Sequence, residues 1–304
     1  MDKQTWSNGR QICFAVPSAK KYKNKYYANH PNRFVNLSIT GSSCACHCEH
    51  CNAKLLNTMI AAETPQRFLQ QVKILKQNGC TGILVSGGAD PEGKVPLNPF
   101  LDVIGEAVTL GLQVVVHSGI LDRVTAVGLK NAGVHQVSMD IIGDINTIRQ
   151  VYHLDAQPHD YLDSMLICSE LGLGFSPHIV MGLHFGQIKG EYQALEMIAQ
   201  TKPDNIVLVV LTPMKDTGMA DIQAPLLQEI GMVMETAVAI AQDTPLTLGC
   251  ARPPGEYKRE IEKKAVQLGF STIAYPDEKT VSYCLEQGME PKFFEACCCL
   301  NNQL

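Results

Sequence analysis

The chain has 304 residues, 45% of them hydrophobic, enough to bury a sizeable core. Its 25 Lys and Arg against 30 Asp and Glu leave a net charge of −5, so no global basic surface argues for nucleic acid. Met1–Phe14 holds no apolar run of signal-peptide type, and stretches such as Ile206–Leu211 are far shorter than the roughly 20 residues of a membrane span.

A soluble, cytoplasmic protein with no nucleic-acid or membrane partner is therefore expected. In that reducing compartment its 12 cysteines read as metal ligands or catalytic groups rather than disulfides. Residues 1–33 form a basic extension bearing Lys20, Lys21, Lys23, Lys25, Tyr22, Tyr26 and Tyr27. From there short apolar runs predict strands at Phe34–Thr40, Gly82–Ser86, Gln113–His117, Gln136–Asp140, Phe175–Val180, Asn205–Leu211, Leu246–Gly249 and Thr272–Ala274. Amphipathic helices are predicted between them at Pro65–Asn78, Asn98–Leu110, Asp122–Ala132, His159–Leu171, Ile188–Thr201, Ala224–Gln242 and Gly255–Leu268. Glycine stop signals follow several of them, as at Leu171-Gly172 and Leu268-Gly269. Such alternation makes right-handed βαβ units, and eight strands favour an α/β fold of the TIM type, a (βα)8 barrel, full or nearly full, over residues 34–276. Residues 277–304 form a C-terminal extension ending in Cys297-Cys298-Cys299, and both extensions are expected to lie outside the barrel.

The loop after the first strand reads Ser43-Cys44-Ala45-Cys46-His47-Cys48-Glu49-His50-Cys51. Through Cys44, Cys48 and Cys51 the spacing is CxxxCxxC, and three thiolates so close can hold three irons of a [4Fe–4S] cluster, leaving the fourth iron open. Zinc, closed by Cys46, His47 or His50, is the alternative. Cys46 itself fits no cluster spacing and reads as a bystander. Active sites of barrels lie on these loops at the carboxyl ends of the strands, which favours the cluster.

That loop resembles the signature of the radical S-adenosylmethionine (SAM) superfamily, with His50 where many members carry an aromatic residue. The resemblance implies that the cluster reductively cleaves SAM to a 5′-deoxyadenosyl radical. Ser86-Gly87-Gly88-Ala89-Asp90 is similar to the glycine-rich segment that meets the SAM amino group, against a plain βα turn. Asp140 could accept hydrogen bonds from the ribose or cap a helix. His178 to Gly186, with Met181 and Gly182, resembles the fifth-strand region of the biotin synthase-like subgroup, where backbone contacts adenine. His178 and His184 face substrate or are core histidines. Arg252, after the seventh strand, reads as a catalytic anion clamp or as a surface ion pair.

Within that subgroup, Val35–Met59, Leu248–Pro253 and Ile273–Pro276 look most like a component of the two-protein lipoyl synthases. The resemblance implies sulfur insertion into an octanoyl chain on the lysine of a lipoyl carrier protein. It also implies a paralogous partner chain, and a one-electron reductant such as ferredoxin or flavodoxin. Sulfur insertion requires a sacrificial donor, a second Fe–S cluster, for which Cys13, Cys250, Cys297, Cys298 and Cys299 are the candidates. Three adjacent cysteines are not expected all to bind one cluster. The basic segment Lys20–Lys25 would dock the acidic carrier. A single-cluster radical SAM enzyme of cofactor maturation or carbon-skeleton rearrangement is the alternative within enzymes, and a non-catalytic Fe–S or zinc scaffold is the alternative outside them.

Overall fold

The computed structural model describes residues 11–303, so the first ten residues of the basic extension, and Leu304, lie outside the described residues. The strands are β1 (Gln11–Ala15), β2 (Phe34–Ser38), β3 (Ile60–Ala61), β4 (Gly82–Ser86), β5 (Gln113–His117), β6 (Gln136–Asp140), β7 (Phe175–Met181), β8 (Ile206–Val210), β9 (Leu246–Leu248), β10 (Thr272–Ala274) and β11 (Glu290–Phe294). The helices are α1 (Pro65–Gln77), α2 (Leu101–Thr109), α3 (Arg123–Asn131), α4 (Ile145–Val151), α5 (Pro158–Leu171), α6 (Glu191–Ile198), α7 (Leu227–Ala241), α8 (Glu256–Leu268) and α9 (Glu278–Glu286). Polar caps start several of them: Thr64 accepts from the amide of Arg67, Asp122 from Thr125 and Asp144 from Thr147. Gly172 and Gly269 end α5 and α8 with φ of 61° and 86°, a left-handed turn that costs glycine no Cβ clash.

The strands make one sheet in the order β11-β1-β10-β9-β8-β7-β6-β5-β4-β2-β3. Every ladder in it is parallel. The eight predicted strands are β2 and β4–β10, and they neighbour one another in chain order, the arrangement of a curled TIM-type half-barrel. Among the described residues no ladder joins the outer strands β3 and β11. A parallel sheet is covered on both faces, and the β-branched runs Val114–Val116 and Ile206–Val210 are buried throughout. Side chains such as Phe68, Val72, Ile104 and Leu129 fill the layer between helices and sheet. A second cluster joins Ala15, Phe34, Val115, Val207 and Ala274, from strands far apart in the sheet, to Leu300 of the tail; this is the concave interior.

The two extensions depart from expectation. Residues 11–15 pair in register with both β10 and β11, and residues 290–294 add β11 beyond them, so neither 33/34 nor 276/277 bounds the sheet. Past β11 the chain turns into the interior, where a 3-10 turn (Cys298–Gln303) packs on β1, β6 and β10. Asn205, fully buried at the start of β8, donates to the Cys298 carbonyl at 3.2 Å and accepts from the Thr247 hydroxyl at 3.0 Å. Among the described residues no helix is long and apolar enough to cross a membrane. Replacing Asn205 with Ala removes both of these buried hydrogen bonds, so Asn205→Ala should cost about 1–3 kcal/mol in thermal or denaturant unfolding. An unchanged stability would show that the tail is not anchored there.

Candidate functional site

The cysteine loop leaves β2 at the carboxyl edge of the sheet, and its neighbours hold it from three sides. Gly88, just past β4, lies directly beneath it: a Cβ on Gly88 would sit 2.0 Å from the Ser43 carbonyl oxygen and 2.5 Å from Cys44 Cα. Only glycine permits that approach. The Gly88 amide donates to Thr40 Oγ1 at 2.7 Å, and the Ala45 amide donates to the Ala89 carbonyl at 2.9 Å. On a second side the Glu49 amide bonds the Val151 carbonyl at 2.9 Å and its carboxylate meets His153 Nε2 at 3.1 Å. On the third, Lys54 reaches the Lys215 carbonyl at 2.7 Å and Asp216 at 2.8 Å. His47, Asn52 and Ala53 take left-handed φ values of 44°, 41° and 59° without being glycine, a concentration of strain of the kind found at functional sites.

Cys48 is buried, and its thiol, the His50 ring and the Cys51 thiol offer donor atoms within 4.8 Å of one another. Cys44 lies outside that trio and is linked to it through Cys46. Contact with Cys44 and then Cys48 draws the Cys46 thiol down to about 3, against burial, and the same Cys46 contact pushes Cys44 up. Cys48 in turn draws Cys51 down to about 4, against burial. Cys46 thus lies between Cys44 and Cys48, and its Sγ also donates to the Asp90 carbonyl at 3.5 Å. Thiolates are the metal-binding form of cysteine. His50 Nδ1 is buried with no hydrogen-bond partner, an unsatisfied atom beside the thiols. A soft, partly unsatisfied donor set on a loop cradled by glycine fits an iron–sulfur cluster.

The interior below the loop is polar at its centre. Asp140, at the end of β6, faces His117 Nε2 at 3.9 Å and accepts from the Tyr152 hydroxyl at 3.3 Å. Burial opposes its charge, but His117 first, then His178 and His50, outweigh burial and hold the carboxyl down to about 2. Asp140 caps no helix: Asp144 caps α4 instead. Tyr152 also lies against His50, ring centres 5.1 Å apart, so loop and interior are linked by one chain of contacts. Ser86 is buried at the end of β4. Met181 is fully buried among the apolar residues on the helix side of the sheet, and the Gly182 amide donates to Glu191 at 2.7 Å. Any ligand contact there would fall to backbone carbonyls, since a Cβ on Gly182 would meet Pro225 at 2.2 Å.

Of the tail cysteines, the thiols of Cys297, Cys298 and Cys299 all lie within 4.8 Å of one another, contrary to the expectation for adjacent residues. The tight turn allows it, because the Leu300 amide bonds back to the Cys297 carbonyl at 2.9 Å. Cys250 keeps a solvent-accessible face at the concave mouth, and its thiol is pushed up by desolvation and then by the charge of Cys297. Cys13, on β1, packs against the same interior cluster but lies outside the close grouping of the three thiols, and its thiol is pushed up by burial.

Arg252 is corrected. Its side chain is 1% exposed, and its guanidinium donates to Glu262, itself 0% exposed, at 3.0 Å from Nε, and to the carbonyls of Gly249 and Ala274. Glu262 also accepts from the Asp277 amide at 2.8 Å and the Thr280 hydroxyl at 2.5 Å. With its donors committed to a buried pair that ties β9, α8, β10 and α9 together, Arg252 has no free fork for a substrate anion and is not a surface pair either.

No family model matches the chain, and no curated protein matches it. Among solved structures it is similar to methylornithine synthase (PylB), 14% identical with a TM-score of 0.60 over 93% of this chain and 84% of that one. It is similar to the FeFe-hydrogenase maturase HydG from Carboxydothermus hydrogenoformans, 14% identical with a TM-score of 0.59 over 97% and 70%. It is also similar to Streptococcus suis SuiB bound to S-adenosylmethionine, 11% identical with a TM-score of 0.56 over 80% and 57%. These likenesses establish the curled parallel α/β fold.

Two outcomes follow from this geometry. Gly88→Ala must displace the cysteine loop, and iron bound there after anaerobic reconstitution should fall severalfold while far-UV circular dichroism stays unchanged; full iron binding would show that the close approach is not needed. Glu262→Ala should lower stability by about 3–5 kcal/mol in unfolding experiments, since it strands a buried guanidinium. A stable Glu262→Ala chain with an exchangeable Arg252 would restore the clamp role.

Proposed function

We propose that this chain is a radical SAM enzyme, with Cys44, Cys48 and Cys51 holding its [4Fe–4S] cluster. The observation that carries the reading is the CxxxCxxC loop, seated on Gly88 at the carboxyl edge of a curled parallel sheet, with an orphaned His50 nitrogen beside its thiols. When bound, the cluster would supply one electron to cleave SAM and generate a 5′-deoxyadenosyl radical. Three of this chain's cysteines would leave one iron for the SAM amino and carboxylate groups. Ser86, Gly87 and Gly88 offer backbone to the amino group, Asp140 is held ionised to accept from the ribose, and the Met181–Gly182 backbone offers carbonyls to adenine. The apolar walls of the curled sheet would exclude water from a reactive radical.

The finer reading is sulfur insertion into a protein-bound octanoyl chain, as one component of a lipoyl synthase. Its support is a second thiol set, Cys297–Cys299 with Cys250 nearby, in the concave interior; a second Fe–S cluster there would serve as sulfur donor. Lys20, Lys21, Lys23 and Lys25 are exposed, and Lys25 already pairs with Glu278 at 3.8 Å, so this segment is accessible for an acidic lipoyl carrier. A paralogous partner chain and a ferredoxin or flavodoxin reductant complete the proposal. The fold likeness fits the cofactor-maturation alternative equally well, since the structures it resembles include a hydrogenase maturase. The trio Cys48, His50 and Cys51 would also suit zinc in a scaffold.

Iron, sulfide and zinc analysis of anaerobically reconstituted protein separates these readings. Wild type should carry two iron–sulfur clusters and a Cys44/Cys48/Cys51→Ala chain one, by Mössbauer spectroscopy. A variant without iron beside a one-cluster wild type would replace sulfur insertion with the single-cluster reading, and zinc without iron would end both.

A further inference from the structure

Three thiols are brought together by the tail turn, yet a metal centre bound to protein ordinarily needs a fourth donor or an external one. The turn is fixed in place: Cys298 and Cys299 are buried, the Leu300 side chain is 1% exposed, and Asn205 holds the Cys298 carbonyl at 3.2 Å. Candidates for the fourth position differ in what else they do. His117 faces Asp140 at 3.9 Å. Cys13 faces the same interior from β1 but lies outside the close grouping of the three thiols, and Cys250 lies on the accessible rim.

His178 is different. It stands on β7, a strand paired on both sides, by β6 and by β8, so its backbone cannot drift. Its Nδ1 lies 3.1 Å from the Ser176 carbonyl, and only a protonated nitrogen can make that bond. The neutral ring then carries its lone pair on Nε2, and Nε2 points at Cys299 Sγ across 3.8 Å. A ring nitrogen that donates to a backbone carbonyl while its partner nitrogen faces soft ligands is the usual arrangement of a metal-bound histidine, because the donated bond fixes both tautomer and ring plane.

We propose that His178 Nε2 is the fourth donor, with the thiolates of Cys297, Cys298 and Cys299, to the iron–sulfur cluster of the concave interior. The assignment rests on the two-cluster reading above and gives its second cluster a mixed sulfur and nitrogen ligand set. Neutral imidazole in place of a fourth thiolate removes one negative charge from the ligand shell, which raises a cluster's potential, as in Rieske centres where histidines replace cysteines. A centre so ligated should be reduced more readily than an all-cysteine one in the same pocket.

The test uses the full chain carrying Cys44/Cys48/Cys51→Ala, so that the interior cluster is observed alone. It is grown with 15N-labelled histidine, reconstituted with iron and sulfide, reduced, and examined by pulsed electron paramagnetic resonance. The expected result is a histidine nitrogen coupling of directly bound strength, lost in His178→Ala. His178→Cys should retain the iron, lack the nitrogen coupling and shift the midpoint potential downward. A cluster that shows no such coupling, or keeps it in His178→Ala, would overturn the role of His178 and leave the two-cluster reading standing. Zinc alone, or no metal, in the parent variant would overturn both.

Discussion

The approach of the Gly88 backbone to Ser43 and Cys44 is the contact on which the rest of the site depends. A loop carrying four cysteines in eight residues has no apolar side chains of its own with which to bury itself. It must be held by its surroundings, and three sets of hydrogen bonds from the loops after β4, α4 and β8 do so. The contact with Gly88 sets the depth at which the thiols lie against the sheet edge, because any side chain there would lift Cys44 away. Holding the thiols close has an electrostatic cost, since neighbouring thiolates repel. Contacts among the thiols draw Cys46 and Cys51 down while they push Cys44 and Cys48 up. Donor atoms of Cys48, His50 and Cys51 gathered within 4.8 Å, with one His50 nitrogen unpartnered, are why the loop reads as a metal site and not as a folded connector.

The second determinant is the tail. A curled parallel sheet leaves a concave face to be filled, and the chain fills part of it with Ala296, Cys298, Cys299 and Leu300. That places soft donors in the interior beneath the loop, beside His178 and within electrostatic reach of His117 and Cys250. The strand ends framing this face at β9 and β10 are tied by Arg252 and Glu262, a buried pair whose rigidity is structural. Loop, Tyr152, Asp140 and the two histidines form a continuous path from one thiol set toward the other.

Much of this was legible in the sequence, and the exceptions share a cause. Strands β2 and β4–β10 were evident because each is a local run of β-branched and apolar residues followed by a helical period. Residues 11–15 were read as part of an extension because five residues make a weak pattern, and their partners, Thr272–Ala274 and Glu290–Phe294, lie some 260 to 280 positions away. The tail cysteines looked too close together to share a site until the 3-10 turn folded them inward. Arg252 was misread for the same reason: its partner is ten residues downstream on α8, and nothing local announces that Glu262 is buried. Cys46 gave no signal at all, since spacing describes order along the chain and not which thiols touch. At His178 the sequence pattern does not distinguish a core from a substrate-facing ring, and only the distances to Ser176 and Cys299 give its two nitrogens different tasks.

The most direct measurement of the central claim is the yield of 5′-deoxyadenosine when the reconstituted chain is mixed anaerobically with SAM and a strong one-electron donor. Wild type should form it, and a Cys48→Ala chain of unchanged fold should not. Equal yields from the two chains, or none from an iron-loaded wild type, would contradict the assignment of the loop as a radical-generating centre.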